Sequence, residues 1–416
     1  MPFLGMRGTG DWVANQRPEN WRETILYLFP NGQAPLTAIL SKMGSERTTD
    51  ARYHWWQKLL PDQRGIVTAV TDQVPAAYVN GGAIGLVLTV TLGASADKFR
   101  IGHQVILRRS GFLSDDVNGK VTAMVAGASI DVTLLEADGG AANVFDTALI
   151  IGNINEEGAA APSSLMYDPT EYWNYTQIFR TPLEHTRTAM RTKLRTGDQL
   201  KQAKKEALQI HAIEQEKAFI FGERSQNTGS GGKLERTTRG IIKSIISDPN
   251  ASANVEDYKT TALGVQGPLT WLAGGEFWLD TVFEQIFRYG RNEKLALCGS
   301  GALMGINRLA KSYGRFELTA EKPAFGISVM RWITPFGTIF LKTHPLFSFE
   351  ATMRNTMLIV EPENLKFRFV DDTKYKPEIQ PNDIDGEKSE YLTEAGLEVH
   401  YPQAMGLLRN VGVDRA

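Results

Sequence analysis

The stretch Asp198 to Glu223, DQLKQAKKEALQIHAIEQEKAFIFGE, places His211, Glu214 and Glu216 within two turns of one predicted helix. Imidazole and carboxylate at that spacing could ligate a divalent ion or relay a proton. A carboxylate-bridged dimetal bundle, however, needs a Glu-x-x-His pair on each of two helices and a further glutamate on each of two more. Here the order is His-x-x-Glu, and it occurs once. Stepping about 100° per residue puts Leu200, Ala203, Ala207, Ile210, Ala218 and Phe221 on one narrow arc, with Glu214 near its middle and His211 at its edge. An unpaired buried carboxylate is costly, so Glu214 is expected to meet Lys217 one turn on, or a basic group of the sheet or of another subunit.

Other chemistry-bearing runs fail on spacing. GSGALMG at Gly299 to Gly305 follows a predicted strand and opens a helix, but the third glycine of a dinucleotide fingerprint falls on Met304. GSGGK at Gly229 to Lys233 lacks both the earlier glycine, replaced by Asn227, and the hydroxyl residue after lysine, replaced by Leu234. In NDIDGEKSEYLTE, fixing Gly386 at the invariant turn of a calcium loop puts Pro381 and Leu392 where carboxylates are required, leaving Asp383 and Asp385 as a solvated turn. The six histidines form no zinc pair, and Cys298 sits in an apolar strand where a thiol is inert. No nucleophile is nominated, and no cofactor or metal is expected.

The elements that carry these residues are mixed. Residues 20–29 and 35–43, NWRETILYLF and PLTAILSKM, read as short helical pieces punctuated by proline. Trp55 and Trp56 lie in a predicted strand, ARYHWWQKLLP, and need another surface to cover them, whether the chain's own core or a neighbouring subunit. From about 63 to 162 the texture changes to short strands and Gly/Ala/Asp turns, a small all-β barrel or sandwich between flexible flanks. EYWNYTQIFRTPLEHTRTAM alternates as one long strand, and Asp198 and Gly222 bracket the long helix as cap and stop. A polar, glycine-rich loop, ERSQNTGSGGKLERTTRG, follows. Helices and strands then alternate, with a hairpin at Pro335-Phe336-Gly337, which is an α+β order.

Composition bounds the partners. The chain has 416 residues, 45 Lys and Arg against 47 Asp and Glu, and a net charge of −2, so it lacks the basic stripe of a dedicated nucleic-acid binder. One cysteine suits a reducing cytoplasm. The N-terminal run lacks the basic and apolar regions of a signal peptide, and no apolar run reaches about 18 residues, so neither leader nor membrane span is expected.

Taken in order, APLTAILSKMG, YHWWQ, NYTQIFR, EALQIHAIEQEKAFIFGE, RTTRGI, FEQIFRYGRNEKLALCGSGAL, TPFGTIFLKTHPLF and TEAGLEVHYPQAMGLL resemble tailed-bacteriophage major capsid proteins of the Hong Kong 97-like fold, in the branch with an inserted β-domain. The resemblance implies an N-terminal arm over 1–62 and an extended loop with the inserted β-domain over 63–162. It implies a peripheral domain over 163–265 with its spine helix at 198–222, an axial domain over 266–385, and a return strand over 386–416. It further implies hexamers and pentamers in an icosahedral shell around packaged double-stranded DNA, assembled in the host bacterial cytoplasm and ending in the virion. Portal, scaffold and decoration proteins are the implied partners, with DNA touched only weakly or indirectly. Trp55, Trp56, Glu214 and Lys217 are the residues marked for contact between subunits. A decoration protein attached through the β-module, and an enzyme using Gly299 to Gly305 or His211 with Glu214, are the readings from other classes.

Overall fold

A computed structural model describes residues 45–59, 62–72, 77–78, 81–109, 116–139, 145–158, 160–192, 198–260, 270–313, 318–320 and 330–414. The helical pieces expected at 20–29 and 35–43 lie outside them. The chain divides into a larger unit, the segment up to Trp55 together with Glu171–Ala416, and a smaller one, Trp56–Thr170.

The larger unit is organised by the run KLALC. In the strand Glu293–Cys298 every residue after the first is buried, because the strand lies between Gly337–Thr343, parallel to it, and Met357–Val360, antiparallel. Alternation sends Leu295 and Leu297, with Leu358, Val360 and Leu407, into one core, and Ala296 and Cys298, with Met357, Ile359 and Leu408, into another. The sheet has seven strands, ordered Val255–Asp257, Gly406–Arg409, Met357–Val360, Glu293–Cys298, Gly337–Thr343, Met330–Thr334, Leu318–Ala320. Pro335 and Phe336 form the tight turn of its hairpin, where Thr334 faces Gly337.

Helices Trp271–Phe287 and Ser300–Tyr313 cover one face through Trp271, Trp278, Phe283, Ile286, Ile306 and Leu309. Burial there pushes the Cys298 thiol far above its ordinary range, which leaves it un-ionised and unreactive. The other face meets Phe219 and Ile220 of the long helix, Ile241 and Ile245 of the short helix Ile241–Ser247, and Leu397 and Val399 of the return strand.

The return strand Gly386–Val399 belongs to a second sheet of four strands, ordered Ser45–Arg47, Leu365–Lys376, Gly386–Val399, Gln177–Thr186. It pairs with Gln177–Thr186 without a break from Gln177 opposite Ala395 to Thr186 opposite Gly386. Tyr401 then takes a left-handed conformation at φ 45°, uncommon outside glycine, and with the turn Pro402–Ala404 it carries the chain across to Gly406–Arg409 of the seven-stranded sheet. One segment therefore belongs to both sheets. Beside the crossing, Lys294 is buried, its Nζ donating to the Ala404 carbonyl at 2.8 Å, the Tyr289 carbonyl at 3.1 Å and Glu361 at 3.3 Å.

Two local expectations are corrected. The expected single long strand of EYWNYTQIFRTPLEHT breaks at Thr176 into Thr170–Tyr175, paired with Arg52–Gln57, and Gln177–Thr186. Thr176 instead hydrogen-bonds Ala51 through its amide and Glu394 through its hydroxyl, which ends the first pairing and begins the second. The glycine-rich loop after the long helix is a hairpin, Ser225–Thr228 against Leu234–Thr237, with GSGGK at its turn. Among the described residues no helix is long and apolar enough to cross a membrane.

The smaller unit has seven strands in one antiparallel sheet: Arg64–Ile66, Thr147–Asn153, His103–Arg108, Val117–Val125, Ser129–Leu134, Val87–Thr91, Ala69–Asp72. Its first and last strands are halves of one bent segment. At the bend Val67 donates to Asp146 and Thr68 donates to Thr91, so the two edges are joined and the sheet closes into a barrel. Leu88, Val90, Val105, Leu107, Val121, Ile130 and Val132 fill it. A polar plug ties the connections at one end: Arg109 forks onto Asp138 at 3.0 and 2.7 Å, stacks over Phe145 at 4.0 Å, and Tyr78 donates to the same carboxylate at 2.5 Å. Burial and the neighbouring Asp138 push the Tyr78 phenol up to about 12, so it stays a donor.

Removing one member of a fully buried pair leaves the other uncompensated, a loss of about 3–5 kcal/mol. Asp138→Ala is therefore expected to lower the unfolding midpoint of the full chain strongly, and Arg109→Met with Asp138→Leu together to restore part of the loss. Calorimetry showing Asp138→Ala as stable as wild type would refute the role given to the plug.

Candidate functional site

Two surfaces carry the candidate contact residues. The first is the long helix Gln199–Phe221, capped by Asp198, whose carboxylate accepts from Leu200 and Lys201 amides, and followed by Gly222. Its buried line is Ala207, His211, Gln215 and Phe219, joined by Glu216 and Ile220. Glu214 is not on it. Glu214 and Lys217 are both exposed, no ion pair joins them, and Ile210, expected inward, is 51% exposed.

The apolar-arc reading failed because the helix buries polar side chains that the neighbouring elements satisfy. His211 bridges the hydroxyls of Thr181 at 2.9 Å and Thr393 at 2.8 Å, and Gln215 donates to Thr393 at 3.1 Å. Glu216 meets His344 at 2.8 Å with both side chains enclosed. His211 is enclosed against the two threonines, while Glu214, on the adjoining turn, is exposed. No signal within the helix reveals this; the complementary threonines stand 30 residues before His211 and 182 after it.

The second surface is the strand pair Arg52–Gln57 and Thr170–Tyr175. In RYHWWQ the inward residues are Tyr53, Trp55 and Gln57, while Arg52, His54 and Trp56 point outward. Trp55 is half-buried and stacks with Tyr53, Tyr172 and His400, so much of its area is covered within its own subunit. Trp56 is 64% exposed. On the partner strand Glu171 pairs with His54, and Trp173 is flanked by two guanidiniums, Arg52 at 4.1 Å and Arg224 at 3.4 Å from its ring centre. Tyr175 meets the Trp173 ring edge-on at 5.1 Å and carries Arg236 at 5.9 Å.

This ladder of aromatic rings and guanidiniums escaped the sequence reading, although its signal is present. Alternate positions of RYHWW and EYWNY carry a cation or a ring, a pattern that a strand displays on one face. Among the described residues Arg52, Arg224 and Arg236 have no carboxylate within 4.0 Å, since nearby Glu223 is shared by Arg239 at 3.4 Å and Lys243 at 3.5 Å. Burial, then the charges of Arg239 and Arg52, hold the Arg224 guanidinium below its ordinary value despite Glu223 and Tyr175. Behind the strand pair lies a cavity of about 220 Å³ lined by Trp55, Tyr172, Asn174, Arg239 and Asp248 among others.

The sites that invited enzymatic readings are filled by the chain itself. At GSGALMG the helix-opening amides of Gly301 and Ala302 already donate to the Arg354 carbonyl at 3.0 and 3.1 Å, and a side chain on Gly305 would overlap Gly412. Asp385 is paired with Arg187 at 2.7 Å. Among the described residues no group of three or more His, Cys, Asp or Glu side chains is placed to hold a metal.

The family model described as SU10 major capsid protein matches residues 6–412. The chain belongs to that family. It is a structural subunit of a phage capsid, a component of the virion, and not an enzyme. A curated relative is the major capsid protein of Pseudomonas phage PaMx41, 23% identical over 363 residues, which cover 85% of this chain and 79% of the relative. Among solved structures, the capsid of a native GTA particle is similar over 96% of this chain and 97% of its own, with 8% identity and a TM-score of 0.45. Mycobacterium phage Bobi is similar over 95% and 96%, with 9% identity and a TM-score of 0.43. In a capsid family the functional surfaces are contact surfaces, which turns attention from catalysis to the outward face of the helix and the ladder.

Burial holds the His211 imidazole below its ordinary 6.5. A depressed folded value means that stability is complete above the unfolded value and is lost as pH falls from there towards the folded one. Thermal midpoints of the SU10-family chain should therefore drop on acidification below about 6.5, and His211→Gln should flatten part of that drop. His103, held down by burial and Arg100, supplies another part. Equal pH slopes for wild type and His211→Gln would rule out the assignment.

Proposed function

We propose that this capsid subunit builds an icosahedral shell around packaged double-stranded DNA by forming hexamers and pentamers in the Hong Kong 97-like manner. The arm is assigned to 1–62, the extended loop with its barrel to 63–162, the peripheral domain to 163–265, the axial domain to 266–385 and the return strand to 386–416. The observation that carries this reading is the ladder. A lone subunit gains little from holding, beside Trp173 and Tyr175, three guanidiniums that have no carboxylate within 4.0 Å among the described residues, or from exposing Trp56, whereas Trp, Tyr and Arg are the residues that dominate protein contacts.

Trp56, Glu214 and Lys217 fit contact roles because all three are exposed, whereas Trp55 is half-buried and stacked within its own subunit. Many weak contacts of this kind, repeated by symmetry, yield a durable particle without disulfides, as suits a chain with one buried cysteine. Assembly takes place in the host cytoplasm, with portal, scaffold and decoration proteins as partners. DNA is enclosed more than gripped, given the net charge of −2.

Electron microscopy of the expressed full chain, with a co-expressed scaffold if required, should show closed shells or their hexamers and pentamers. A dispersed monomer at high concentration in the presence of its partners would count against the reading. Trp56→Ala and Glu214→Lys should each slow assembly about tenfold, the effect of losing roughly 1.4 kcal/mol at a contact. Their thermal midpoints should stay near that of wild type, because neither side chain is packed in the core.

A further inference from the structure

The larger unit carries a second charge cluster that has no counter-charge among the described residues. On the outer side of helix Trp271–Phe287, Glu276 and Asp280 stand one turn apart, and neither has a cation within 4.0 Å among the described residues. Burial and the charge of Glu276 raise the Asp280 carboxyl above its ordinary value. Between them Phe277 is 59% exposed, with Leu272 45% exposed one turn earlier. Glu284, further along the same side, is already paired with Arg288 at 2.7 Å. The ladder has the opposite imbalance, three guanidiniums with no carboxylate within 4.0 Å among the described residues, and it presents rings where the helix presents a phenyl group.

We propose that the ladder of one copy of this chain receives the acidic outer face of helix Trp271–Phe287 from a second copy. Arg52, Arg224 and Arg236 pair with Glu276 and Asp280, and Phe277 packs against Trp173 and Tyr175. The proposal rests on the reading that the chain assembles with itself. Arg224 spends one N–H on the Trp173 carbonyl at 2.7 Å and Arg236 one on Gln226 at 3.1 Å, and the remaining N–H groups of these ring-stacked guanidiniums can donate to a carboxylate. Contact would remove the like-charge strain on both surfaces at once, and the apolar side chains between the charges would exclude water from the pairs. Because the two patches are different surfaces of one chain, the contact is head-to-tail. A head-to-tail contact can repeat from copy to copy and closes a ring where its rotation allows, whereas a self-complementary patch stops at a dimer.

The test is a charge exchange in the full-length protein, with assembly followed by light scattering and electron microscopy and folding by circular dichroism. Glu276→Arg with Asp280→Arg, and separately Arg52→Glu with Arg224→Glu, should each cut assembly at least tenfold, because like charges then face each other. All four substitutions in one chain should restore assembly. The neutral pairs Glu276→Gln with Asp280→Gln, and Arg52→Gln with Arg224→Gln, keep size and shape and should show smaller losses that shrink further at high salt, so the proposal stays testable if a reversed variant fails to fold. Folded reversed variants that assemble like wild type overturn it, as does the absence of rescue. Loss of assembly from the ladder changes alone also overturns it, and points to a phosphate backbone or another acidic surface as the occupant. A wild-type chain that never assembles defeats the assembly reading itself, whereas an assembling wild type with indifferent variants defeats only this contact.

Discussion

A sheet that is apolar on both faces has to be covered on both faces, and the larger unit is built around that requirement. Leu295 and Leu297 on one side and Ala296 and Cys298 on the other leave the strand Glu293–Cys298 no side for water. Two helices take one face. The long helix, the short helix after it and the return strand take the other, and the return strand can do so because Tyr401 and the following turn bring the chain into the same sheet it has just covered. Lys294, at the base of that strand, is held by two carbonyls and Glu361 at the crossing point, so a buried charge specifies where the sheets join.

Polar burial has the same specifying role on the long helix. An apolar stripe alone would allow the helix to roll by a fraction of a turn. His211 and Gln215 reaching Thr181 and Thr393, and Glu216 reaching His344, admit one rotation. That rotation is what turns Glu206, Ile210, Glu214 and Lys217 outward as a continuous exposed stripe. The outward surface of this helix is thus a by-product of how the core is satisfied, and its charges, which have no ion pair among the described residues, are available for contacts beyond the chain.

Much of this was legible in the sequence because it rests on local physics. The Asp198 cap, the Gly222 stop, the two-residue turn at Pro335-Phe336, the change to short strands near 63 and the apolar run KLALC are signals spanning a few residues each. What was illegible depends on partners far away in the chain. Glu214 looked inward, and the burial of Glu216 could not be seen because His344, which encloses it, lies 128 residues later. The break at Thr176 reflects hydrogen bonds to Ala51 and Glu394, and the Arg52–Trp173–Arg224 stack joins three separate segments. The motifs that looked chemical were explained by close packing: the amides that open GSGALMG are spent on Arg354, and its last glycine makes room for Gly412.

We infer that assembly completes the surfaces that folding leaves without counter-charges among the described residues. A reconstruction of the assembled particle at side-chain resolution addresses it directly, through the environment of Trp173 and its flanking guanidiniums. The account predicts that Arg52, Arg224 and Arg236 each lie within hydrogen-bond reach of carboxylates from a neighbouring copy, with Trp173 excluded from solvent. A shell in which the ladder faces open solvent, with its guanidiniums still unpaired, would contradict it.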